Sequence, residues 1–331
     1  MPEVTVYDVA EKAGVSIATV SRVLNTPDKV NAHTRQRVIA AIDALGFVPR
    51  ADATARARKT NGRIGVLAPF FTYPSFVERL RGVAGTLAGS NYEMVIYAVD
   101  TAVQRDAYLT SLLLTRRVDG LIIMALPFDE DMARRLLDAR IETVLVEFTH
   151  PSFSSIEIDD ALGGCMAAQY LVRRGRTRCA YIGDSDLPDY AIHTSDRRLA
   201  GYRQALADAG LPLRPEYVAL TPHGLETARQ KARQLLDLPQ PPDAIFAASD
   251  TQAIGILRAV RERGLAASKA VAVVGFDDLE VAEYIGLTTI RQPLQESGRV
   301  AVELLHSRLS DVSRPIQHVR LPLSLVERET A

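Results

Sequence analysis

The chain has 331 residues, of which 47% are hydrophobic and 24% are charged, and its formal net charge is −1 at pH 7. This length suits two or three domains, and the composition is that of a globular protein, which excludes a disordered or fibrous chain. No apolar run reaches the ~18 residues of a membrane span, and the N-terminus lacks the apolar region of a signal peptide, so we expect a cytoplasmic protein without a membrane partner.

Residues 4–25 predict two short helices joined by a tight turn. The apolar residues of the first helix recur at helical spacing: Val6, Val9, Ala10 and Ala13. Thr5 and Asp8 have the spacing of a capping box, in which each side chain satisfies a backbone N–H group of the first turn. Gly14 can take the left-handed conformation that ends a helix. The first helix is therefore predicted to begin just after Thr5 and to end before Gly14.

Ser16 is the predicted cap of the second helix. Its inward residues are Val20, Val23 and Leu24. Its outward residues are Ile17, Ala18, Ser21 and Arg22. When such a helix enters the DNA major groove, apolar side chains contact thymine methyl groups and an arginine binds guanine. A third helix follows, with Asn31 as its cap, Gly46 as its stop signal and an apolar inner face of Val38, Ala41, Ile42 and Leu45.

This segment resembles the DNA-binding headpiece of the LacI/GalR family of bacterial transcriptional regulators. The residues that carry the resemblance are Thr5, Tyr7, Asp8, Val9, Ala10, Ala13, Gly14, Val15, Ser16, Thr19, Val20, Ser21, Arg22, Val23 and Asn25. The implied DNA contacts come from Thr5, Tyr7, Ser16, Ile17, Ala18, Thr19, Ser21, Arg22 and Asn25. On pattern alone, two ordinary core helices explain the segment equally well. Residues 1–60 carry nine Lys or Arg against six Asp or Glu, which concentrates positive charge where phosphate contact is expected.

From Arg63 onward, short apolar runs alternate with helical patterns. The runs form a first set at 63–69, 92–100, 118–126, 142–148 and 154–159, a second set at 178–184, 216–220, 244–249 and 271–278, and two returning runs at 288–293 and 318–326. Runs rich in Val and Ile between helices are typical of parallel sheets covered on both faces. We expect an α/β fold of two doubly wound lobes, with a ligand cleft where the strands end.

Arg63 to Glu329 resembles the effector-binding core of the same family, which is itself similar to periplasmic sugar-binding proteins. The matching stretches include RIGVLAP, VDGLII, RRLAGYRQAL, DAIFAASDTQAIG, VAVVGFDD and LTTIRQPLQESG. The resemblance implies a helix-turn-helix headpiece at 1–48, a hinge at 49–60 and an effector-binding and dimerisation core at 61–331. It divides that core into an N-terminal lobe of about 61–161 and 291–318 and a C-terminal lobe of about 162–290 and 319–331.

The hinge segment PRADATARARKT is rich in alanine and has no large apolar residue. The resemblance implies that it folds on operator DNA and contacts the minor groove through Arg50, Ala53 and Arg56. Arg56 stands where relatives insert a leucine wedge between base pairs. A charged group gains little from such insertion, so we hypothesise a less kinked, more salt-sensitive complex. The alternative interpretation is a solvated linker.

The resemblance also implies an effector pocket. Its expected residues are Phe76, Glu147, Phe148, Arg198, Ser249, Asp250, Asp277 and Gln292, of which Phe148 rests on its loop position. Charged and amide groups of this kind bind neighbouring hydroxyls, and an aromatic ring covers the sugar face. Plainer roles stay open: Arg198 could pair with Asp196 or Glu226, and Asp250 and Asp277 could each cap the helix that follows.

These features together favour a ligand-responsive transcriptional regulator, which we expect to be a repressor. It would bind a pseudopalindromic operator in double-stranded DNA as a homodimer, under the control of a sugar or sugar derivative. Cys165 and Cys179 lack metal-ligand or disulfide spacing, and no catalytic, cofactor or metal motif is found, so we expect neither enzyme activity nor a cofactor. The alternatives are a solute-binding protein with the same core and a regulator with a purine-type effector.

Overall fold

The computed structural model describes residues 4–25, 29–45, 47, 62–185 and 188–331. Within these ranges the chain forms a small helical headpiece and a large α/β core with two sheets. None of the helices in this part of the chain is both long enough and apolar enough to cross a membrane.

The headpiece begins with helix α1 (Val6–Ala13), which has the predicted capping box. The Asp8 carboxylate accepts hydrogen bonds from the backbone N–H and the hydroxyl of Thr5, both at 2.6 Å. The hydroxyl hydrogen bond holds the pKa of Asp8 below its ordinary value. Gly14 follows with a φ of 59°, the left-handed conformation expected of it.

Helices α2 (Ile17–Asn25) and α3 (Ala32–Leu45) complete the headpiece. The side-chain oxygens of Ser16 and Asn31 accept from the backbone N–H groups of Thr19 and Thr34, at 3.2 and 2.8 Å, as the sequence predicted. Arg37 on α3 donates to the carbonyl of Ala13 at 2.6 Å, which ties α3 to the turn. The buried cluster of the headpiece consists of Val9, Ala10, Ala13, Val20, Val23, Val38, Ala41, Ile42 and, from the core, Leu114.

The first lobe contains a six-stranded parallel sheet in the order β11-β5-β4-β3-β1-β2. Its strands are β1 (Gly62–Ala68), β2 (Tyr92–Ala98), β3 (Gly120–Met124), β4 (Glu142–Val146), β5 (Ser154–Glu157) and β11 (His318–Arg320). Its helices are α4 (Pro74–Leu87), α5 (Ala102–Thr115), α6 (Glu130–Asp138) and α12 (Leu294–Ser310). The residues of β3 are all buried, as a central strand covered on both faces requires.

The second lobe contains a six-stranded sheet in the order β12-β10-β9-β8-β6-β7. Its strands are β6 (Cys179–Asp184), β7 (Val218–Thr221), β8 (Ala244–Ala247), β9 (Ala272–Asp277), β10 (Thr288–Arg291) and β12 (Ser324–Val326). Its helices are α7 (Asp160–Arg173), α8 (Thr194–Asp208), α9 (Leu225–Leu236), α10 (Asp250–Glu262) and α11 (Glu280–Tyr284). The prediction of two doubly wound lobes is confirmed, although β12 pairs antiparallel with β10.

The chain passes between the lobes after β5, after β10 and between β11 and β12. The predicted run 318–326 is therefore two short strands that belong to different sheets. Because β11 pairs with β5, the last passage follows Arg320, and the expected boundary at 318/319 lies too early. The sequence of a single apolar run cannot show that its two halves belong to different sheets, because apolar and polar residues alternate in the same way in both halves.

Helices α7 and α8 cross closely beside the sheet of the second lobe. A Cβ atom on Gly164 would overlap the carbonyl oxygen of Arg198, and one on Gly201 would overlap that of Ala161. The two glycines therefore allow the backbones to touch. This contact fixes the start of α7 against α8, which brings Asp160 to Arg198.

Candidate DNA-binding face and effector cleft

Helix α2 has one exposed face. Ile17 is 41% exposed, Ala18, Ser21 and Arg22 are exposed, and Val20 and Val23 are buried in the headpiece cluster. The predicted inward and outward sets are therefore both found. An exposed apolar residue beside an exposed guanidinium suits contact with base edges.

The remaining predicted DNA contacts differ in how the structure places them. Tyr7 on α1 is 67% exposed, and Thr5 is occupied with the capping box. The hydroxyls of Ser16 and Thr19 lie 2.9 Å apart at the start of α2, close to the exposed face. The predicted hinge residues Arg50, Ala53 and Arg56 and the side chain of Asn25 lie outside the described residues.

The cleft between the lobes is formed where the strands end, and the backbone there is unusual. Phe70, Ala125, Glu147 and Asp277 follow or close strands β1, β3, β4 and β9, and all four have a positive φ. Such a conformation costs a non-glycine residue on the order of 1 kcal/mol, and it persists only where the surroundings impose it. Strain of this kind at strand ends of both lobes is typical of a ligand site.

Arg79 is a cleft residue that the sequence did not single out. It lies on the buried face of α4 with Phe76, Leu80, Val83 and Leu87, and it is 3% exposed. Its guanidinium forms an ion pair with Glu147 and donates to Gln292 Oε1 at 3.0 Å and to Ser297 Oγ at 2.9 Å. Arg79 therefore joins two of the predicted pocket residues, Glu147 and Gln292.

Arg198 lies at the opposite wall of the cleft and is 6% exposed. It donates to Asp160 Oδ1 at 2.8 Å and to the carbonyl of Ala248 at 2.6 Å, and its guanidinium lies 3.6 Å from the ring centre of Phe276. The plainer interpretation, a surface pair with Asp196 or Glu226, is wrong. Burial raises the pKa of Asp160, and the charge of Arg198 opposes that rise.

Asp277 and Gln292 connect the two walls. Gln292 Nε2 donates to Asp277 Oδ1 at 2.5 Å, while its own carbonyl oxygen accepts from Arg79. Burial raises the pKa of Asp277 to about 6, although Arg198 and the hydrogen bond from Gln292 oppose the rise. Asp277 does not cap the next helix, whose N-cap is Leu279. Its carboxylate is therefore available as an acceptor in the cleft.

Ser249 and Asp250 have roles other than those expected. Ser249 is the N-cap of α10, which begins at Asp250, and its hydroxyl accepts from Gln252 N at 3.2 Å. Asp250 has no exposed surface, and its two oxygens accept from the hydroxyl of Thr289 and the N–H of Leu279, at 2.6 and 2.8 Å. Burial raises the pKa of Asp250 well above its ordinary value. This geometry places Asp250 beneath the cleft and gives no support to a direct effector contact.

The two predicted aromatic residues pack within the first lobe. Phe76 is 8% exposed and contacts Phe70 edge to face at 6.3 Å between ring centres. Phe148 is half-buried and meets Phe128 in the same way at 5.2 Å. Apolar neighbours therefore hold both rings in the first lobe.

A different pair of rings spans the mouth of the cleft. Tyr73 of the first lobe stacks on His223 of the second, with ring centres 4.5 Å apart and planes 15° apart, and Phe70 stacks on Tyr73 at 5.0 Å. His223 Nδ1 lies 3.0 Å from Asp184 Oδ1, which also accepts from Gln252. Local sequence signals could not predict this pair, since its members lie on different lobes.

Groups of three or more His, Cys, Asp or Glu that could hold a metal ion are absent from the described ranges. Burial raises the pKa of both thiols, that of Cys179 to about 11. A raised thiol pKa disfavours the reactive thiolate, so neither cysteine has the environment of a reactive thiol.

Comparison with known proteins identifies the family. Residues 5–50 match the family described as "Bacterial regulatory proteins, lacI family", and residues 168–331 match a "Periplasmic binding protein-like domain". The HTH-type transcriptional repressor CytR of Escherichia coli K12 is 34% identical over 308 residues, which cover 91% of this chain and 88% of CytR. The chain belongs to the LacI family.

Solved structures of LacI-family proteins agree with this fold over nearly its whole length. The cellobiose complex of the regulator CelR is 30% identical, with a TM-score of 0.71 over 99% of this chain and 100% of CelR. The lac repressor dimer bound to operator and the anti-inducer ONPF is also 30% identical, with a TM-score of 0.70 over 99% of each chain. The protein is therefore a DNA-binding, ligand-responsive transcriptional regulator, and its family is not one of enzymes.

Proposed function

We propose that this LacI-family protein is a repressor that binds a pseudopalindromic operator as a homodimer, with one headpiece on each half-site. A sugar or sugar derivative in the interlobe cleft controls its affinity for DNA. The observation that carries the proposal is the buried polar network Glu147–Arg79–Gln292–Asp277, which joins side chains of both lobes. The cellobiose bound by CelR supports the ligand class.

The DNA contacts of the proposal come from the exposed face of the headpiece. Ile17 and Ala18 contact thymine methyl groups and Arg22 binds guanine, because Ile17 and Ala18 are exposed at the start of α2 and Arg22 is exposed in its last turn. Further contacts are proposed for Thr5, Tyr7, Ser16, Thr19, Ser21 and Asn25, and in the hinge for Arg50, Ala53 and Arg56.

The effector acts by favouring one arrangement of the lobes over another, because a ligand with equal affinity for both shifts nothing. In the described structure the contacts between the lobes include the Gln292–Asp277 hydrogen bond, the Tyr73–His223 stack and the hydrogen bond from Ile192 N–H to the carbonyl of Ala125. A ligand that enters the cleft replaces these contacts with its own. The resulting change between the lobes alters the spacing of the two headpieces in the dimer.

Operator binding by wild type, Arg22→Ala and Arg258→Ala tests the DNA part, measured by fluorescence anisotropy on the operator selected by the wild-type protein. Loss of a bidentate guanine contact weakens binding by about 5- to 150-fold. Arg258 is the matched control, since it lies on α10 of the second lobe and is 63% exposed. Equal affinities of all three proteins would refute the assignment of the recognition face, and light scattering that gives a monomer on DNA would refute the dimer.

Comparison of operator bending by wild type and Arg56→Leu tests the hinge. We expect the leucine variant to bend DNA more and to lose less affinity as salt rises, because an apolar wedge replaces a charge that contacts phosphate or groove. Identical bend angles would contradict this role of Arg56. If adenosine released the protein from its operator and none of the sugars tested did, the effector would be of the purine type and not a sugar.

A further inference from the structure

The charged groups buried in the cleft are unequal in number. Two guanidiniums, on Arg79 and Arg198, have side chains 4% and 7% exposed. Three carboxylates lie with them: those of Glu147 and Asp160 are 10% and 3% exposed, and Asp277 is 5% exposed as a residue. The cleft therefore carries more anionic than cationic groups.

Both guanidiniums are already neutralised within the protein. Arg79 is paired with Glu147, and Arg198 is paired with Asp160. Their remaining contacts are the neutral acceptors Gln292, Ser297 and the carbonyl of Ala248. A ligand anion that enters the cleft would have to compete with a buried carboxylate for either cation.

Asp277 is the carboxylate without a direct ion pair, although the charges of Arg198, Arg79 and His223 act on it from a greater distance. Among the described residues, no Lys, Arg or His nitrogen lies within 4.0 Å of its oxygens, and its hydrogen-bond donor is the neutral amide of Gln292. Ionised carboxylates only accept hydrogen bonds. The Asp277 carboxylate can therefore accept further hydrogen bonds from a ligand, and the groups that can donate them are hydroxyl, amine or N–H groups.

We infer that the cleft selects an uncharged or cationic ligand rich in hydrogen-bond donors, such as a free sugar, an amino sugar or a nucleoside, and rejects phosphate esters and carboxylates. This inference rests on the proposed function, because it concerns the effector of the same cleft. A phosphate in the cleft meets one carboxylate charge in excess of the two guanidiniums, and water screens that repulsion only weakly. We therefore expect the phosphate ester of a ligand to bind about 100-fold more weakly than its neutral parent, the effect of one excess like charge in a partly desolvated site.

Thermal unfolding of the full chain tests the selectivity with matched probes. The pairs are ribose and ribose 5-phosphate, cellobiose and cellobionate, glucosamine and glucuronate, and adenosine and adenosine 5′-monophosphate. We expect stabilisation to be confined to the neutral or cationic member of a pair. An acidic member that raises the unfolding temperature more than its parent overturns the inference. A neutral member that stabilises the chain without changing operator affinity refutes the proposed function and leaves the inference standing.

A second measurement needs no ligand. Asp277→Asn removes the unpaired carboxylate but keeps an acceptor for Gln292, and asparagine matches aspartate in size at this backbone position, whose φ is 121°. We expect it to raise the unfolding temperature of the free chain by about 2–4 °C. Asp243→Asn is the control, because the Asp243 carboxylate is paired with the Arg178 guanidinium and accepts a hydrogen bond from the backbone N–H of Arg178. Loss of that carboxylate charge should lower the unfolding temperature. A fall for Asp277→Asn like that of the control overturns the inference.

Discussion

The ion pair between Arg79 and Glu147 gives a prediction whose size follows from burial. Both side chains are at most 10% exposed, so removal of one charge leaves the other without a counterion in a low-dielectric site. Loss of one partner of such a pair costs about 3–5 kcal/mol. Arg79 keeps its acceptors on Gln292 and Ser297, so we expect Glu147→Gln to cost about 3 kcal/mol, the lower end of that range.

Urea unfolding of wild type, Glu147→Gln, Arg79→Met and the double variant measures this cost. The midpoint of Glu147→Gln should fall by about 1–3 M, given typical urea slopes of 1–3 kcal/mol/M. The double variant should lose less stability than the two single variants together, by at least about 1.5 kcal/mol, because it leaves no unpaired charge. The control is Arg81→Met, which removes an ion pair with Glu78 whose arginine is 58% exposed, at a cost of about 0.5 kcal/mol or less. A cost below about 1 kcal/mol for Glu147→Gln, or strictly additive losses, would refute the reasoning.

Three further predictions concern other parts of the core. Burial raises the pKa of Asp277 from 3.8 to about 6, so between these pH values the folded chain binds more protons than the unfolded chain. The free energy of unfolding should therefore fall by at most about 3 kcal/mol as the pH rises through this window. Urea unfolding at several pH values should show this fall in the wild type and not in Asp277→Asn. Gly201→Ala should lower the free energy of unfolding by about 1–3 kcal/mol or more, because its Cβ atom would overlap the backbone of α7. Gly85→Ala, whose Cβ atom would lie in open space on α4, should raise that free energy by about 0.5–1 kcal/mol. Equal effects of the two variants would contradict the close approach of α7 and α8. Tyr73→Ala should lose the stack on His223 and therefore bind the effector more weakly, which ligand titration would measure. Its affinity for operator in the absence of effector should be unchanged, which fluorescence anisotropy would measure.

The headpiece was predictable because its signals are local. The capping pairs Thr5–Asp8 and Asn31–Thr34 lie three residues apart, and Gly14 ends its helix through its own backbone freedom. The apolar stripe of α1 needs only helical spacing to be read. In the same way, the central parallel strands could be located from apolar runs, since strands such as β3 and β9 are buried on both faces.

The polar network was less predictable because its contacts are distant in sequence. Arg79 lies 68 residues from Glu147 and 213 from Gln292, and on α4 it holds a position that helical periodicity assigns to the apolar face. Asp160 stands beside Asp159, and sequence alone does not show that Asp159 caps α7 while Asp160 turns to Arg198. Such choices depend on where the folded chain places a partner.

The three passages of the chain between the lobes have a consequence for synthesis on the ribosome. The headpiece is complete at Leu45, but the first sheet lacks β11 until Arg320 and the second lacks β12 until Val326. At translation rates of about 5–20 residues per second, roughly 15 to 55 s separate these events. A nascent chain thus exposes helix α2 before the sheet of either lobe is complete, so during this interval a ligand in the cleft cannot control what the headpiece contacts.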